Sequence, residues 1–339
     1  MTTPLTTRRQ SLALATGMLL PAAASAQVAQ LRIASVVPKN SLYHQSLLEL
    51  GEAWRAAQGP GARFTVFTDG AQGGEAEIVR RMRIGQLQGG LMSVVGLRDI
   101  EPTIAALQNL PLLFRSWEEI DYVRDKMRAG MEKRFLDKGF VVVGWGDAGW
   151  VRFFSKEPAL RPDDFKGRKF FAWGSEPEQQ AIMKSLGYTP VALETGDALA
   201  AIQTGMIDVL PSTPYFALAS QVFGTAKHML DINWAPIVGA LVVTQRAWAQ
   251  MSPAGQEALR KAGEKAGVAM RTQARKEVDD AVAAMQKRGL TVHRPNEAQM
   301  REWNQLAEQL YPRIRGAMVP AETFDEVFVH LKAYRAGKR

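Results

Sequence analysis

Residues 140–155 read FVVVGWGDAGWVRFFS and decide how the chain is organised. The first part, Phe140–Trp145, is an apolar run typical of a buried strand. The last part, Val151–Ser155, starts a second strand after the short segment Asp147–Gly149. We therefore predict that the chain crosses at Asp147–Gly149 from one α/β unit into another.

Strand and helix patterns alternate on both sides of this crossover. Before it, the predicted strands and helices are Leu31–Val37, Leu42–Ala57, Arg63–Phe67, Glu75–Gln86, Gly90–Val95 and Trp117–Lys138. After it, they are Lys169–Ala172, Pro177–Leu186, Pro190–Leu193, Asp197–Thr204 and Ile207–Leu210. Such alternation favours two α/β units, each with a largely parallel sheet.

A long helix follows the strand Ile237–Thr244. Ser252 is a suitable N-cap, Pro253 suits the first helical position, and Gly289 marks the end. About 36 residues at 1.5 Å each give roughly 54 Å. We expect this helix, residues 253–288, to lie across both units as a strut, followed by helices Glu297–Leu310 and Glu322–Arg335.

These patterns predict an α/β fold of two lobes, the clamshell of periplasmic binding proteins, with the long helix spanning both lobes. Lobe I takes residues 27–148 plus about 236–265. Lobe II takes residues 149–235 plus about 266–339.

The first 26 residues have the features of an export signal. Arg8 and Arg9 form a basic start, Leu12–Leu20 is apolar, and Ala24-Ser25-Ala26 fits a cleavage site after Ala26. The twin arginine is compatible with Tat export as well as Sec. The apolar run is too short for a membrane span, which needs about 20 residues. We expect a periplasmic protein with no stable membrane insertion.

Composition excludes several kinds of chemistry. The 339 residues include no cysteine and only four histidines, which are scattered along the chain. The net charge of +8 is spread thinly, which argues against a nucleic-acid groove. No P-loop and no GxGxxG motif occurs. We therefore expect no metal, no cofactor and no catalytic residue, and a clamshell that receives a solute. An exported hydrolase or a ligand sensor on the same scaffold remains the alternative.

Several ordered motifs resemble the DctP-type solute-binding proteins of tripartite ATP-independent periplasmic (TRAP) transporters. The resemblance covers essentially the whole chain after residue 26, in order. It is carried by residues 36–44 (VVPKNSLYH), 70–75 (GAQGGE), 82–87 (MRIGQL), 110–114 (LPLLF), 164–169 (DFKGRK), the pairs 186–187 (LG) and 190–191 (PV), and 203–208 (QTGMID). The resemblance implies a receptor that catalyses no reaction. Such a receptor closes on a small solute, usually an organic acid, and delivers it to a TRAP permease in the membrane.

The sequence departs from this family at the residues that hold a carboxylate. The arginine that usually follows the D-L-K-G-x-K motif is replaced by Phe171. The upstream G-F-R is replaced by Gly149-Trp150-Val151, with Arg152 one residue further on. Either Arg152 holds a carboxylate from a new angle, or the solute is aromatic or less polar. The first alternative predicts that Arg152→Ala weakens the binding of an acidic ligand at least tenfold, which corresponds to about 1.4 kcal/mol.

The remaining candidates come from helix starts and from aromatic residues near the crossover. Tyr43, His44 and Glu75 open helices, where backbone N–H groups favour anions, although Glu75 also suits the helix dipole alone. Trp150 and Trp173 suit stacking on a ring, or burial in the core. The predicted ligand-binding residues are Tyr43, His44, Glu75, Trp150, Arg152, Phe171, Trp173, Ser212 and Thr213.

Overall fold

The computed structural model describes residues 29–337. The elements up to the crossover are β1 (Gln30–Ala34), α1 (Leu42–Gln58), β2 (Arg63–Phe67), α2 (Glu75–Arg83), β3 (Gly89–Ser93), α3 (Val94–Leu97), α4 (Trp117–Asp137) and β4 (Phe140–Trp150). The helix α4 buries Ile120, Val123, Met127 and Met131, and their spacing of three and four residues puts these side chains on one face of the helix.

The second half continues the alternation and adds short elements that the sequence did not predict. Its elements are β5 (Arg152–Ser155), β6 (Lys169–Trp173), α5 (Pro177–Ser185), β7 (Thr189–Leu193), α6 (Ala198–Thr204), β8 (Val209–Ser212), α7 (Pro214–Ala219), β9 (His228–Leu230), β10 (Pro236–Thr244), α8 (Gln245–Ala249), α9 (Pro253–Gln286), β11 (Thr291–His293), α10 (Glu297–Ile314) and α11 (Ala321–Gly337).

The described strands form two sheets. One has the order β2-β1-β3-β10-β4, and the other has the order β11-β9-β5-β8-β6-β7. Both are mixed rather than largely parallel, because β10 runs antiparallel to β3 and β4, and β5 runs antiparallel to β8 and β9. Each antiparallel strand adjoins a crossing between the sheets, where the chain enters its new sheet in the opposite direction.

The two crossings run side by side. Strand β4 ends at Trp150 and β5 starts at Arg152, so only Val151 lies between the sheets. The return passes through residues 231–235. The N–H of Val151 donates to the carbonyl of Ala235 at 2.8 Å, and the N–H of Trp234 donates to the carbonyl of Val151 at 3.2 Å. This pair of extended segments forms a narrow hinge between the two halves.

The helix α9 is 34 residues long and contacts elements of both halves. The Ser252 hydroxyl caps it by accepting from the N–H of Gly255 at 3.0 Å. Its first part packs on α1 and β4, and Met285 near its end lies in the core of the second sheet. Close approach to β4 depends on Gly263 and Gly267, because a Cβ at either position would clash with the backbone of Val143 or Trp145.

The C-terminal helix α11 packs with the first sheet, not the second. Phe324, Val327 and Leu331 share one core with α4, and Arg335 pairs with Glu119 of α4 at 2.8 Å. The prediction that put all of residues 266–339 in lobe II therefore fails for α11, because its apolar face covers α4.

The N-terminal predictions, an export signal in residues 1–26 and cleavage after Ala26, lie outside the described residues. Between residues 29 and 337, none of the helices combines the length and the hydropathy required to cross a membrane.

Candidate functional site

A cavity of about 360 Å³ lies between the two sheets, beside the hinge. The first half contributes residues from α1, α2, β3 and β4, and the second half contributes residues from β6, β8 and α7. Six of the nine predicted ligand-binding residues line it, namely Tyr43, Glu75, Phe171, Trp173, Ser212 and Thr213.

Tyr43 connects the two halves at the cavity wall. It is 5% exposed, and its hydroxyl donates to the carbonyl of Asp147 at 3.1 Å. Its ring contacts those of Tyr215 and Phe216, with centroids 5.8 and 6.0 Å away. The side chain therefore joins α1 both to the strand that enters the hinge and to α7 of the second half.

Glu75 lies at the start of α2 with its carboxyl turned inward. The carboxyl accepts hydrogen bonds from the Ser93 N–H at 2.8 Å, the Ser93 hydroxyl at 2.7 Å and the Gly96 N–H at 2.9 Å. Burial raises the pKa of Glu75 above its ordinary value, although these three bonds favour the carboxylate. The residue thus fixes the β3–α3 turn and leaves an acidic group in the cavity wall.

Phe171 and Trp173 form the aromatic wall on β6. Their rings meet edge to face with centroids 5.5 Å apart, and Phe171 is 3% exposed. The indole N–H of Trp173 donates to the hydroxyl of Thr195 at 3.3 Å. Thr195 therefore orients this tryptophan and does not cap the helix that follows it.

Ser212 and Thr213 lie where β8 leads into α7. Thr213 caps α7 by accepting from the N–H of Phe216 at 3.4 Å. The half-buried Ser212 makes a long 3.4 Å bond to the carbonyl of Thr213. Of these two hydroxyls, that of Ser212 is the better placed to meet a solute.

The structure does not bring His44 and Trp150 to the cavity. The imidazole Nδ1 of His44 accepts from the N–H of Asn40 at 3.0 Å and holds the turn before α1. Trp150 is 5% exposed, and its ring centroid lies 4.9 Å from that of Trp117 in the core around α4.

Arg152 also lies outside this cavity. Its Nε is 2.9 Å from a carboxylate oxygen of Asp231, and its Nη1 donates to the carbonyl of Ile232 at 2.9 Å and to the side chain of Asn233. It lines a separate polar cavity with Arg115 and Arg335. Burial lowers its pKa, and Asp231 opposes that shift.

The sequence reasoning missed Val151, which lines the cavity in place of Arg152. Successive side chains of an extended segment point to opposite faces. That alternation was visible in the sequence, because Val151 and Arg152 are neighbours and cannot both face the cleft.

A buried ion-pair network behind the cavity was also missed. The side chain of Asp147 is fully buried and binds Arg124 at 2.7 Å and Arg275 at 2.9 Å. Arg275 also pairs with Asp121 and lies 4.8 Å over the ring of Trp117. This network joins β4, α4 and α9. No local motif predicts the pairs that join these elements, because Asp147–Arg124, Asp147–Arg275 and Asp121–Arg275 each link residues more than twenty positions apart.

The two halves also contact each other through an ion pair outside the cavity lining. Arg98, directly after α3, lies 3.2 Å from a carboxylate oxygen of Glu176, directly before α5. The Glu176 side chain is 1% exposed, and burial raises its pKa despite the neighbouring guanidinium. Gly74 contacts Glu194 of the second half, where a Cβ would clash with the carboxylate. The two halves are therefore in direct contact at these two places.

Between residues 29 and 337, no group of three or more histidine, cysteine or acidic side chains is placed to hold a metal ion. The side chains that line the cavity are mostly apolar, with hydroxyl groups and the acidic residues Asp69, Glu75 and Asp147 among them.

Sequence comparison places this two-lobed architecture in a known family. A sequence model of DctP, described as bacterial extracellular solute-binding protein, family 7, matches residues 33–316. The chain belongs to this family. It is 31% identical over 163 residues to the uncharacterized protein YiiZ of Salmonella typhimurium, an alignment that covers 47% of this chain and 49% of that protein.

Other relatives agree with this assignment. The C4-dicarboxylate-binding periplasmic protein DctP of Rhodobacter capsulatus is 25% identical over 198 residues, 58% of each chain. These two alignments thus span about half of the curated relatives' lengths. A TRAP periplasmic solute-binding protein of Xanthobacter autotrophicus, solved with β-D-galacturonate, superposes with a TM-score of 0.81 at 19% identity, covering 89% of this chain and 99% of that one. The fold of the family is therefore the fold of this chain.

Proposed function

We propose that this protein is a periplasmic receptor that closes around one small organic solute and delivers it to a TRAP-type membrane permease. The observation that carries the proposal is the cavity of about 360 Å³ that lies between two sheets joined at a narrow hinge. Such a cavity can close on a ligand by rotation about the hinge, and ligand contacts made only in the closed form then shift the population toward it.

The relatives support a small organic solute. The name of the Rhodobacter capsulatus protein specifies C4-dicarboxylates, and the Xanthobacter autotrophicus structure contains β-D-galacturonate. Both are organic acids, so acids belong in any first panel of solutes. For this chain, six residues in the wall are proposed to contact the solute, namely Tyr43, Glu75, Phe171, Trp173, Ser212 and Thr213.

The supporting proposals concern location, domains and chemistry. Residues 1–26 are proposed to direct export and to be removed after Ala26. The first lobe is proposed to run to residue 148 and to resume at about residue 236, and α11 belongs with it because it packs on α4. We also propose that the receptor releases its solute chemically unchanged.

Binding is tested directly on the exported protein. Native mass spectrometry identifies any solute that co-purifies, and a thermal-shift panel tests acids, amides, alcohols and sugars. A solute at about 100 times its Kd stabilises the fold by about 2.7 kcal/mol, which raises the Tm by several degrees. Mass spectrometry of the solute after incubation reports whether it was altered.

An occlusion variant links binding to this cavity. Ser212→Phe places a ring inside the cavity and should abolish the thermal shift, whereas Ser185→Phe, on the exposed side of α5, should preserve it. In the source bacterium, Ser212→Phe should also abolish uptake of the labelled solute. Full binding by the occluded variant would show that this cavity is not the receptor site.

A further inference from the structure

The cleft cavity differs chemically from a site built for an acid. Among the described residues that line it, none is lysine, arginine or histidine. The acidic residues in its wall are Asp69, Glu75 and Asp147. A carboxylate brought into a poorly solvated site needs a cation or several hydrogen-bond donors. These walls offer no cation.

The arginines behind the wall already have partners. Arg124 and Arg275 both bind the fully buried carboxylate of Asp147, and Arg275 also binds Asp121. Arg271 donates to the carbonyl of Trp145 at 2.7 Å. Turning Arg124 or Arg275 toward a solute would leave the Asp147 carboxylate buried with one partner fewer, which is costly.

Glu75 makes the cavity still less suitable for an anion. Its carboxyl is buried in the wall and accepts hydrogen bonds from the Ser93 N–H, the Ser93 hydroxyl and the Gly96 N–H, so its oxygens are acceptors that do not suit a second carboxylate. A solute carboxylate would add a second acidic group there. An uncharged amide or hydroxyl adds no such repulsion and can still bond to the hydroxyl of Ser212.

A second chamber extends the apolar wall. A cavity of about 150 Å³ lies behind Phe171 and Trp173, and it shares these residues and Val151 with the main cavity. Its lining combines aliphatic side chains and the amides of Gln108, Asn109 and Gln179 with six further aromatic side chains, namely Phe153, Phe165, Phe170, Tyr188, Trp234 and Trp303. Ile182 of α5 closes it from the other side. Hydrocarbon buried against such walls is stabilised in proportion to its area.

From these walls we infer that the solute is an uncharged organic molecule with an extended aromatic or branched hydrocarbon body. Its polar end lies in the main cavity near Ser212, and its hydrocarbon body extends past Phe171 and Trp173 into the second chamber. The inference rests on the proposed receptor function and specifies the solute class of that same site.

The decisive experiment compares matched probes on the exported wild-type protein by calorimetry. Each pair shares one hydrocarbon body and differs in the polar end: phenylacetamide against phenylacetate, and 4-phenylbutyramide against 4-phenylbutyrate. We expect each amide to bind at least about tenfold more tightly than its acid, a difference of about 1.4 kcal/mol. We also expect the longer amide to bind more tightly than the shorter one.

Three variants then show which cavity residues cause the difference in affinity. Phe171→Arg places a guanidinium in the cavity, so each acid should then bind more tightly than its matching amide. Phe171→Leu adds no charge, so each amide should still bind more tightly than its acid. Ile182→Trp fills the second chamber. It should raise the Kd for 4-phenylbutyramide at least about tenfold, while the Kd for phenylacetamide should change by less than about twofold. Circular dichroism verifies that each variant folds. If a variant does not fold, the comparison of amides with acids on the wild-type protein still tests the inference.

The outcomes separate this inference from the receptor proposal. Tighter binding of the acids by the wild type, or a co-purified solute that carries a carboxylate, overturns the inference and leaves the receptor function intact. A co-purified uncharged solute supports the inference even if the four probes bind weakly. Absence of both a co-purified solute and any hit in the wider panel overturns the receptor function and the inference with it.

Discussion

Arg98 and Glu176 form an ion pair between the two halves of the protein, with 3.2 Å between the guanidinium and the carboxylate. Arg98 follows α3 in the first half, and Glu176 precedes α5 in the second. The Glu176 side chain is 1% exposed. Since the partners belong to different halves, the pair exists only while the halves are close together, and it therefore stabilises the closed cleft.

Replacing Arg98 by methionine should weaken solute binding. The closed form would then hold the buried Glu176 carboxyl without its cation, so the population shifts toward the open form. We expect Kd to rise at least about tenfold in calorimetry, about 1.4 kcal/mol. Arg315→Met, which breaks the exposed pair with Asp325, is the control and should leave Kd unchanged.

The double variant Arg98→Met, Glu176→Met separates the loss of the ion pair from the cost of burying a carboxyl without its cation. Removing both charges also removes the unpaired buried carboxyl, so the double variant should bind more tightly than Arg98→Met alone. Equal Kd values for the wild type and Arg98→Met would show that the pair does not stabilise the closed form.

Close packing of α9 on β4 gives a second prediction. In an exposed helix, Gly→Ala stabilises by about 0.5–1 kcal/mol. At Gly263 the added Cβ would lie 2.5 Å from the carbonyl oxygen of Val143, so α9 must move away from the strand. We expect Gly263→Ala to lower the free energy of unfolding by about 1–3 kcal/mol.

Gly130 supplies the matched control for this change. It lies in α4, is exposed, and has only the end of the Arg134 side chain within 4 Å of an added Cβ. Gly130→Ala should therefore stabilise the protein in the same urea titration. A gain in stability for both variants would mean that α9 does not depend on close approach at Gly263.

Local patterns predicted most of the long elements. The four buried positions of α4 and the Ser252-Pro253 start of α9 are properties of a few neighbouring residues, so they can be recognised without a partner. Strands β9 and β11 were not predicted, because each has three residues and pairs with the other across about sixty positions. The packing of α11 on α4 was missed for the same reason, since an apolar helix face does not specify what covers it.

The candidate site was predictable to the extent that a residue type determines its role. Phe171, Trp173 and Glu75 were predicted from their residue types and positions, and all three line the cavity, while their contact with a solute stays a prediction. Partners could not be predicted. The interaction of Arg152 with Asp231, and that of Asp147 with Arg275, join residues about 80 and 130 positions apart.

Glu75 gives a third prediction, which concerns pH. Burial raises its pKa in the folded state above the ordinary value of 4.5, so the folded protein holds this proton more strongly than the unfolded chain does. The stability gained from that proton is complete below pH 4.5 and is lost as the pH rises through the raised pKa.

The Glu75→Gln variant isolates this effect. Urea titrations of both proteins should show the stability of the wild type, relative to the variant, falling as the pH rises above 4.5. A relative stability that increases with pH would mean that the bonds from Ser93 and Gly96 outweigh burial and keep the carboxylate charged.

Arg152 gives the last prediction, because its side chain binds Asp231, Ile232 and Asn233 and does not line the cleft cavity. Arg152→Met keeps the length of the apolar stem and removes the charge. We expect the free energy of unfolding to fall by about 1–3 kcal/mol, since the Ile232 carbonyl loses its side-chain donor and Asp231 keeps only the exposed Arg294. Solute Kd should not change, whereas Trp173→Ala, which removes part of the cavity wall, should raise it in the same calorimetric series. An Arg152→Met protein of wild-type stability whose Kd rises tenfold would instead assign Arg152 to the solute.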